Sequence, residues 1–400
     1  MNCIFLLYLL ILIYFIYKSS RKRTLYVYSI LLCIYLNFGW NEVIPLFLTK
    51  KYIPQTLINI TAITAIINII FLLIYRKQWI TPIQLHVDAN LYCKKYRISR
   101  IVVFVLFLLL IIYAGIYSGI TQALLVGSDV ENFRITSNLG MGVIRELPAF
   151  GLPFILLEIF ILNKHISTLK ALLIALLLGF LMFLTTASRY GLLTYVMCFF
   201  IWFCLKRRAF KWYEYFAIFY LAKPVIANIL QFIRSGGFYG STEINFSLFD
   251  YPLMILEENT IRLVNFVHDT RLFFYGESYF YEIVCCIPRF LWPNKPVPID
   301  LVYKDIIGMN FEGGGIFTSA GVDFYLNFGY LFVVPYILWL WLVHVLYGLL
   351  FKSHVGMDLK LFVMLTASGG FQIGHLIQRG QYFFLLLLIF YLLNKRWRVV

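Results

Sequence analysis

Apolar residues in this chain come in long unbroken runs, without the period-two alternation of barrel strands. Runs of spanning length lie near 2–17, 25–48, 57–75, 101–125, 139–162, 169–187, 190–205, 214–233, 327–350, 359–377 and 380–393. Lipid offers the backbone no hydrogen bonds, so segments of this kind satisfy their own N–H and C=O groups as helices. The pattern predicts an all-α polytopic integral membrane protein with about eleven transmembrane helices. The first run has no basic residue ahead of its apolar core and no small-residue cleavage site after it, which reads as a retained helix and not a signal peptide.

The polar positions between the runs set an orientation. Basic clusters occupy every second connection: Lys18/Arg21/Lys22/Arg23, Arg76/Lys77 with Lys94/Lys95/Arg97/Arg100, Lys164/Lys170, Lys206/Arg207/Arg208/Lys211, Lys352/Lys360 and Lys395/Arg396/Arg398. Retention of Lys and Arg on the cytoplasmic side puts the N-terminus outside and the C-terminus inside. The outer connections are then short, except for one of about 90 residues between helices 8 and 9. The chain divides into residues 1–234 (helices 1–8), 235–326 (the long outer loop) and 327–400 (helices 9–11 and a basic cytoplasmic tail). Within the loop, 252–268 and 278–287 mix apolar and charged residues at helical spacing, as amphipathic helices at a membrane surface do.

Composition agrees: 62% of residues are hydrophobic and only 13% charged, against about a quarter in soluble domains. A net charge of +15 is consistent with a nucleic-acid ligand only if it is gathered on one surface; here it is spent on the cytoplasmic connections, and no nucleic-acid partner is expected. The seven cysteines show no CxxC spacing, and neither a zinc site nor a disulfide framework is implied.

Candidate chemistry gathers at the outer ends of helices. Arg145, Arg189, Arg234 and Arg379 are scattered in sequence, yet the topology brings them to one depth. A ring of planar, permanently charged guanidinium groups suits a lipid-linked pyrophosphate; the alternative is that each arginine snorkels to the interface. His375 and Arg379 are four residues apart on one helix face and can serve the same anion, although a lone intramembrane histidine also packs as a core residue. In the loop, Glu312 and Asp323 flank Gly313-Gly314-Gly315 and lead straight back to the membrane, where a base acting on a sugar hydroxyl is needed. His268 is the loop's other candidate base. Neither metal nor cofactor is expected.

The stretch Ile287-Pro288-Arg289-Phe290-Leu291-Trp292-Pro293-Asn294-Lys295-Pro296, followed by Ser319-Ala320-Gly321-Val322-Asp323-Phe324-Tyr325-Leu326-Asn327-Phe328-Gly329, resembles the end of the long periplasmic loop in bacterial O-antigen polymerases of the Wzy type. Thr186-Ala187-Ser188-Arg189-Tyr190-Gly191 is similar to a Ser-Arg-Gly element of that family, and Arg134 to an arginine preceding a glycine-containing turn. Two departures are that Tyr190 interrupts the element and that Asp323 stands where glutamate is commoner. The resemblance implies a metal-independent glycosyltransferase of the bacterial inner membrane, which joins undecaprenyl-pyrophosphate-linked oligosaccharide units at the periplasmic face into O-antigen or capsular polysaccharide. It also implies a chain-length regulator and a flippase as partners, beside membrane lipid. An O-antigen ligase would share the fold class, the arginines and the loop. A lipid-linked oligosaccharide flippase would instead carry short loops and charges lining a central cavity.

Overall fold

The computed structural model describes residues 2–21, 35, 38–48, 53–76, 94–122, 142–163, 165–186, 189–206, 258–284, 287, 291–296, 299–308, 319–352, 354–368 and 373–396. Among these, every regular element is helical. In chain order they are α1 (Asn2–Arg21), a π-helical turn (Gly39–Val43) running into α2 (Ile44–Leu48), α3 (Gln55–Ile74), α4 (Lys94–Tyr117), α5 (Gly142–Leu162), α6 (Thr168–Thr186) and α7 (Arg189–Lys206). Three short helices of the long loop follow: α8 (Glu258–Thr270), α9 (Glu277–Val284) and α10 (Ile299–Ile306). The chain then runs through α11 (Ala320–Phe328), a 3-10 turn (Gly329–Phe332), α12 (Val333–Gly348), α13 (Met357–Ser368) and α14 (Ile373–Arg396).

Among the described residues, four helical stretches are long and apolar enough to cross a membrane: Gln55–Ile74, Ile98–Tyr117, Thr168–Thr186 and Ala320–Phe351. The last comprises α11, the 3-10 turn, α12 and a second 3-10 turn (Leu349–Phe351), with α11 ending at Gly329. Large apolar side chains line the outside of this stretch and of other helices; Leu331, Leu109, Ile116, Leu177 and Phe384 are each more than 60% exposed. A soluble protein does not present aliphatic stripes of this kind along whole helices, whereas lipid makes them favourable. The architecture is that of a helical membrane-embedded protein.

The helices pack in two groups. In one, α6 and α7 form a close antiparallel pair against α4 and α5, with α13 and α14 completing the bundle. In the other, α1 lies against α3 and against the π-helical turn, and α3 also packs on α8, α11 and α12. Contact between α12 and α13 joins the groups, and α9 rests on α14. The buried core is continuous through both and strongly aromatic, from Tyr8 and Phe71 to Phe154, Trp202, Phe362 and Phe383.

Several elements differ from the sequence expectation. The basic residues Lys94, Lys95, Arg97 and Arg100 begin α4 instead of lying in the connection before it, and that helix ends at Tyr117, short of residue 125. Arg100 turns inward, 8% exposed, where Nε lies 3.2 Å from Glu158 Oε2 and Nη2 3.3 Å from Asp358 Oδ1. Its guanidinium carbon sits 3.5 Å above the Phe390 ring. Four helix ends that the basic clusters assign to one side (the start of α4, the end of α5, the start of α13 and the end of α14) therefore meet at one centre.

The last two apolar runs also divide differently. The expected turn at 378–379 does not form: α14 already begins at Ile373, and α13 stops at Ser368. Residues 369–372, between the two, lie outside the described residues. Likewise α11 begins at Ala320, six residues before the assigned end of the loop, so that Asp323 belongs to the first turn of a helix that continues into a span. The runs at 25–34 and 214–233 lie outside the described residues.

Candidate functional site

The loop helices converge on α11. Ser319 caps it, its Oγ accepting from the Val322 N–H at 3.4 Å, and Asp323 follows in the first turn, where the helix dipole favours a carboxylate. Two phenols from the loop donate to this carboxylate: Tyr279 on α9 to Oδ2 at 2.9 Å, and Tyr303 on α10 to Oδ1 at 3.4 Å. Burial, and after it the charge on Asp323, holds the Tyr279 phenol well above its ordinary range, so at neutral pH it is a donor to the carboxylate. An ionised carboxylate has about four lone-pair sites, and two phenols leave the others for an incoming hydroxyl.

One turn further along α11, the fully buried Asn327 fastens the loop to the helix. Its Oδ1 accepts from the Gly276 N–H (3.0 Å) and the Ser278 hydroxyl (3.1 Å), while its Nδ2 donates to the Asp323 carbonyl at 2.9 Å. Backbone bonds from Phe274 N to Leu326 O and from Tyr275 N to Asn327 O complete the seam. The segment reaching this seam is bent: Arg271 and Tyr275 hold φ of 59° and 47°, left-handed values that side chains with a Cβ seldom adopt. Gly329 closes α11 at φ 57°, and a Cβ there would lie 2.8 Å from Phe273 Cζ, so both conformation and space demand glycine. Gly321 meets a similar limit against α3, where a Cβ would come 2.6 Å from Thr64 Oγ1.

Tyr279 and Ile283 are four apart on α9, about one helical turn. Tyr279 holds Asp323, and the Ile283 carbonyl accepts from Gln381 Nε2 on α14. A single turn of α9 thus bridges the carboxylate and α14 at Gln381, two residues and about 200° around that helix from Arg379. Arg379 itself donates from Nη1 to the Leu365 carbonyl of α13 at 3.1 Å, about 9 Å along α14 from Ile373 at the helical rise. It is therefore an intrahelical residue and not part of a tight turn.

His268 Nδ1 lies 2.8 Å from the Tyr325 hydroxyl. Tyr325 is two residues from Asp323, about 200° around the helix, so His268 meets the opposite face of α11 and does not join the carboxylate. In the loop motif, Lys295 is buried and donates from Nζ to the Ile287 carbonyl at 3.0 Å, closing a turn that leaves Pro293 exposed and Pro296 half-buried. Arg189 opens α7, Arg145 lies in the first turn of α5 and His375 in the first turn of α14, which supports the shared helix of His375 and Arg379. The side chains of Arg189, Arg145 and His375 lie outside the described residues, as do Glu312, Arg234, Arg134, Pro288 and Arg289 entirely.

Sequence reasoning missed Tyr279, Tyr303 and Asn327. Asn327 carried a signal, since it follows Asp323 by one helical turn; the tyrosines stood among 29 in the chain with nothing to distinguish them. No family model matches this chain, and no significant match is found among curated proteins or solved structures.

Proposed function

We propose that this chain polymerises undecaprenyl-pyrophosphate-linked oligosaccharide units at the periplasmic face of the bacterial inner membrane. The reading takes about eleven spans with the N-terminus outside, so that α8 to α10 and the start of α11 face the periplasm. A hydroxyl on the incoming unit attacks the anomeric carbon of the growing chain. Its proton passes to Asp323, the bond from that carbon to the pyrophosphate oxygen breaks, and undecaprenyl pyrophosphate leaves. Pyrophosphate is a good leaving group, so Arg379, with Arg189, Arg234, Arg145 and Arg134 as further candidates, need only stabilise its charge. Tyr279 and Tyr303 orient the carboxylate, and Glu312 and His268 stand as alternative bases.

The observation that carries this reading is the Asp323 carboxylate at the head of α11, held by two neutral phenols with lone pairs left over, and joined through a turn of α9 to α14, the helix on which Arg379 lies. Base and leaving-group site have to be neighbours in any inverting or retaining transfer from a lipid carrier. A chain-length regulator and a flippase would act beside such an enzyme.

The deciding experiment is genetic. Cells lacking the protein should display surface lipid bearing one repeat unit, because export and ligation proceed without polymerisation. Surface lipid bearing no repeat unit at all would contradict the polymerase reading and favour a flippase or a ligase. Lipid-linked units accumulating inside mark the flippase; polymer accumulating on its carrier outside marks the ligase.

A further inference from the structure

Glu42 sits in the π-helical turn Gly39–Val43, within the second apolar run, and is 7% exposed. Among the described residues the ion pairs are those of Arg100, and no basic side chain pairs with Glu42. Its carboxylate meets the Ser319 hydroxyl, and its charge acts on the Tyr336 phenol of α12. One carboxylate oxygen, Oε2, has no hydrogen-bond partner among the described residues; nor has Thr64 Oγ1 or Asn68 Nδ2, both fully or almost fully buried.

These groups belong to one neighbourhood. Thr64 and Asn68 are a turn apart on α3, and Thr64 lies against Gly321, two residues beyond Ser319. Asn68 Oδ1 accepts from the Tyr336 hydroxyl at 2.8 Å. Thr61, by contrast, returns its hydroxyl to the Leu57 carbonyl at 2.9 Å, the usual resting place for a helical threonine; the Thr64 hydroxyl makes no such bond.

A bare carboxylate in lipid-embedded protein with no counter-charge costs several kcal/mol, so it must hold a proton or a bound cation. Hard monovalent cations take oxygen ligands, and Glu42, Thr64 and Ser319 supply them from three separate segments. We propose that Glu42, with Ser319 and Thr64, forms a monovalent-cation site that holds a proton or a sodium ion. Tyr336 is the titratable group that interacts with it from α12; Ser319 at the head of α11, and Thr64 and Asn68 on α3, are polar and uncharged. Because Ser319 also caps α11, the occupant of the site is coupled to the helix turn that carries Asp323. The coupling rests on the proposed role of Asp323, but the site itself does not.

Purified wild-type protein and Glu42→Gln should be compared by thermal midpoint in sodium, potassium and choline chloride between about pH 5 and pH 9, with carbodiimide labelling of Glu42 read by peptide mass. A proton site predicts labelling that falls roughly tenfold per pH unit above its midpoint and ignores sodium. A sodium site predicts that sodium, and not potassium, suppresses labelling and raises the wild-type midpoint alone. Should the glutamine variant not fold, Thr64→Val, which removes one oxygen from the site, serves the same comparison. Identical pH and salt dependences of the midpoint in wild type and variant would overturn the site. Labelling and midpoint are independent of polymer synthesis, so failure here leaves the polymerase reading standing.

Discussion

Arg100 and Asp323 each anchor a polar centre built from several helices, and the two centres are built on opposite principles. Around Arg100 full charges close on one another: a guanidinium meets the carboxylates of Glu158 and Asp358 and the face of Phe390, drawing α4, α5, α13 and α14 together. Around Asp323 no charge answers the carboxylate among the described contacts; neutral phenols from α9 and α10 hold it, and the arginine-bearing helix is reached only across a turn of α9. A buried charge closed by its opposite is committed to structure, because breaking it strands the partner. A carboxylate held by neutral donors keeps lone pairs free for a proton. The contrast separates a centre committed to structure from the one proposed to react.

The largest effect should come from breaking the first. Arg100→Met leaves Glu158 buried without its partner and should cost about 3–5 kcal/mol, seen as a large fall in the thermal midpoint of the purified protein. Arg100→Met combined with Glu158→Leu should recover most of that loss; failure to recover would mean that the pair does more than balance charge.

Asn327→Ala should follow, at about 2–3 kcal/mol, since it strands the Gly276 N–H and the Ser278 hydroxyl. Limited proteolysis should then cut the chain between α8 and α9 faster than in the wild type. Tyr279→Phe sharpens the comparison from the other side. Losing one hydrogen bond to a carboxylate, about 1.5–3 kcal/mol, should slow polymer formation roughly 10- to 100-fold while moving the thermal midpoint little. An equal loss of stability and rate would make Tyr279 a structural residue. The smallest effect is expected at Arg271, whose left-handed backbone suits glycine: Arg271→Gly should raise stability by no more than about 1 kcal/mol.

The same contrast explains what was legible in the sequence. Apolar runs reported helices directly, and Gln55–Ile74, Thr168–Thr186 and Arg189–Lys206 fall within a few residues of the expected spans. Basic clusters reported helix ends, but charge alone does not tell a solvated lysine from Arg100, whose partners lie 58 and 258 positions away in the chain. Asp323 was legible because it stands where loop becomes helix. Its phenols were not, since Tyr279 and Tyr303 are brought to it by the folding of the loop, through the strained turn at Arg271 to Gly276 and the seam at Asn327. The polar pair Gln378-Arg379 marks no turn, because a polar pair is tolerated inside a helix that packs against others, as α14 does.

The central claim is that Asp323 accepts a proton in glycan polymerisation. It is tested most directly with purified protein in lipid vesicles, supplied with undecaprenyl-pyrophosphate-linked repeat units and scored for a ladder of longer lipid-linked glycans. The wild type should build the ladder. Asp323→Asn, which keeps the shape of the side chain but cannot take the proton, should leave only single units while retaining the wild-type thermal midpoint to within a few degrees. A full ladder from a folded Asp323→Asn protein would contradict the assignment.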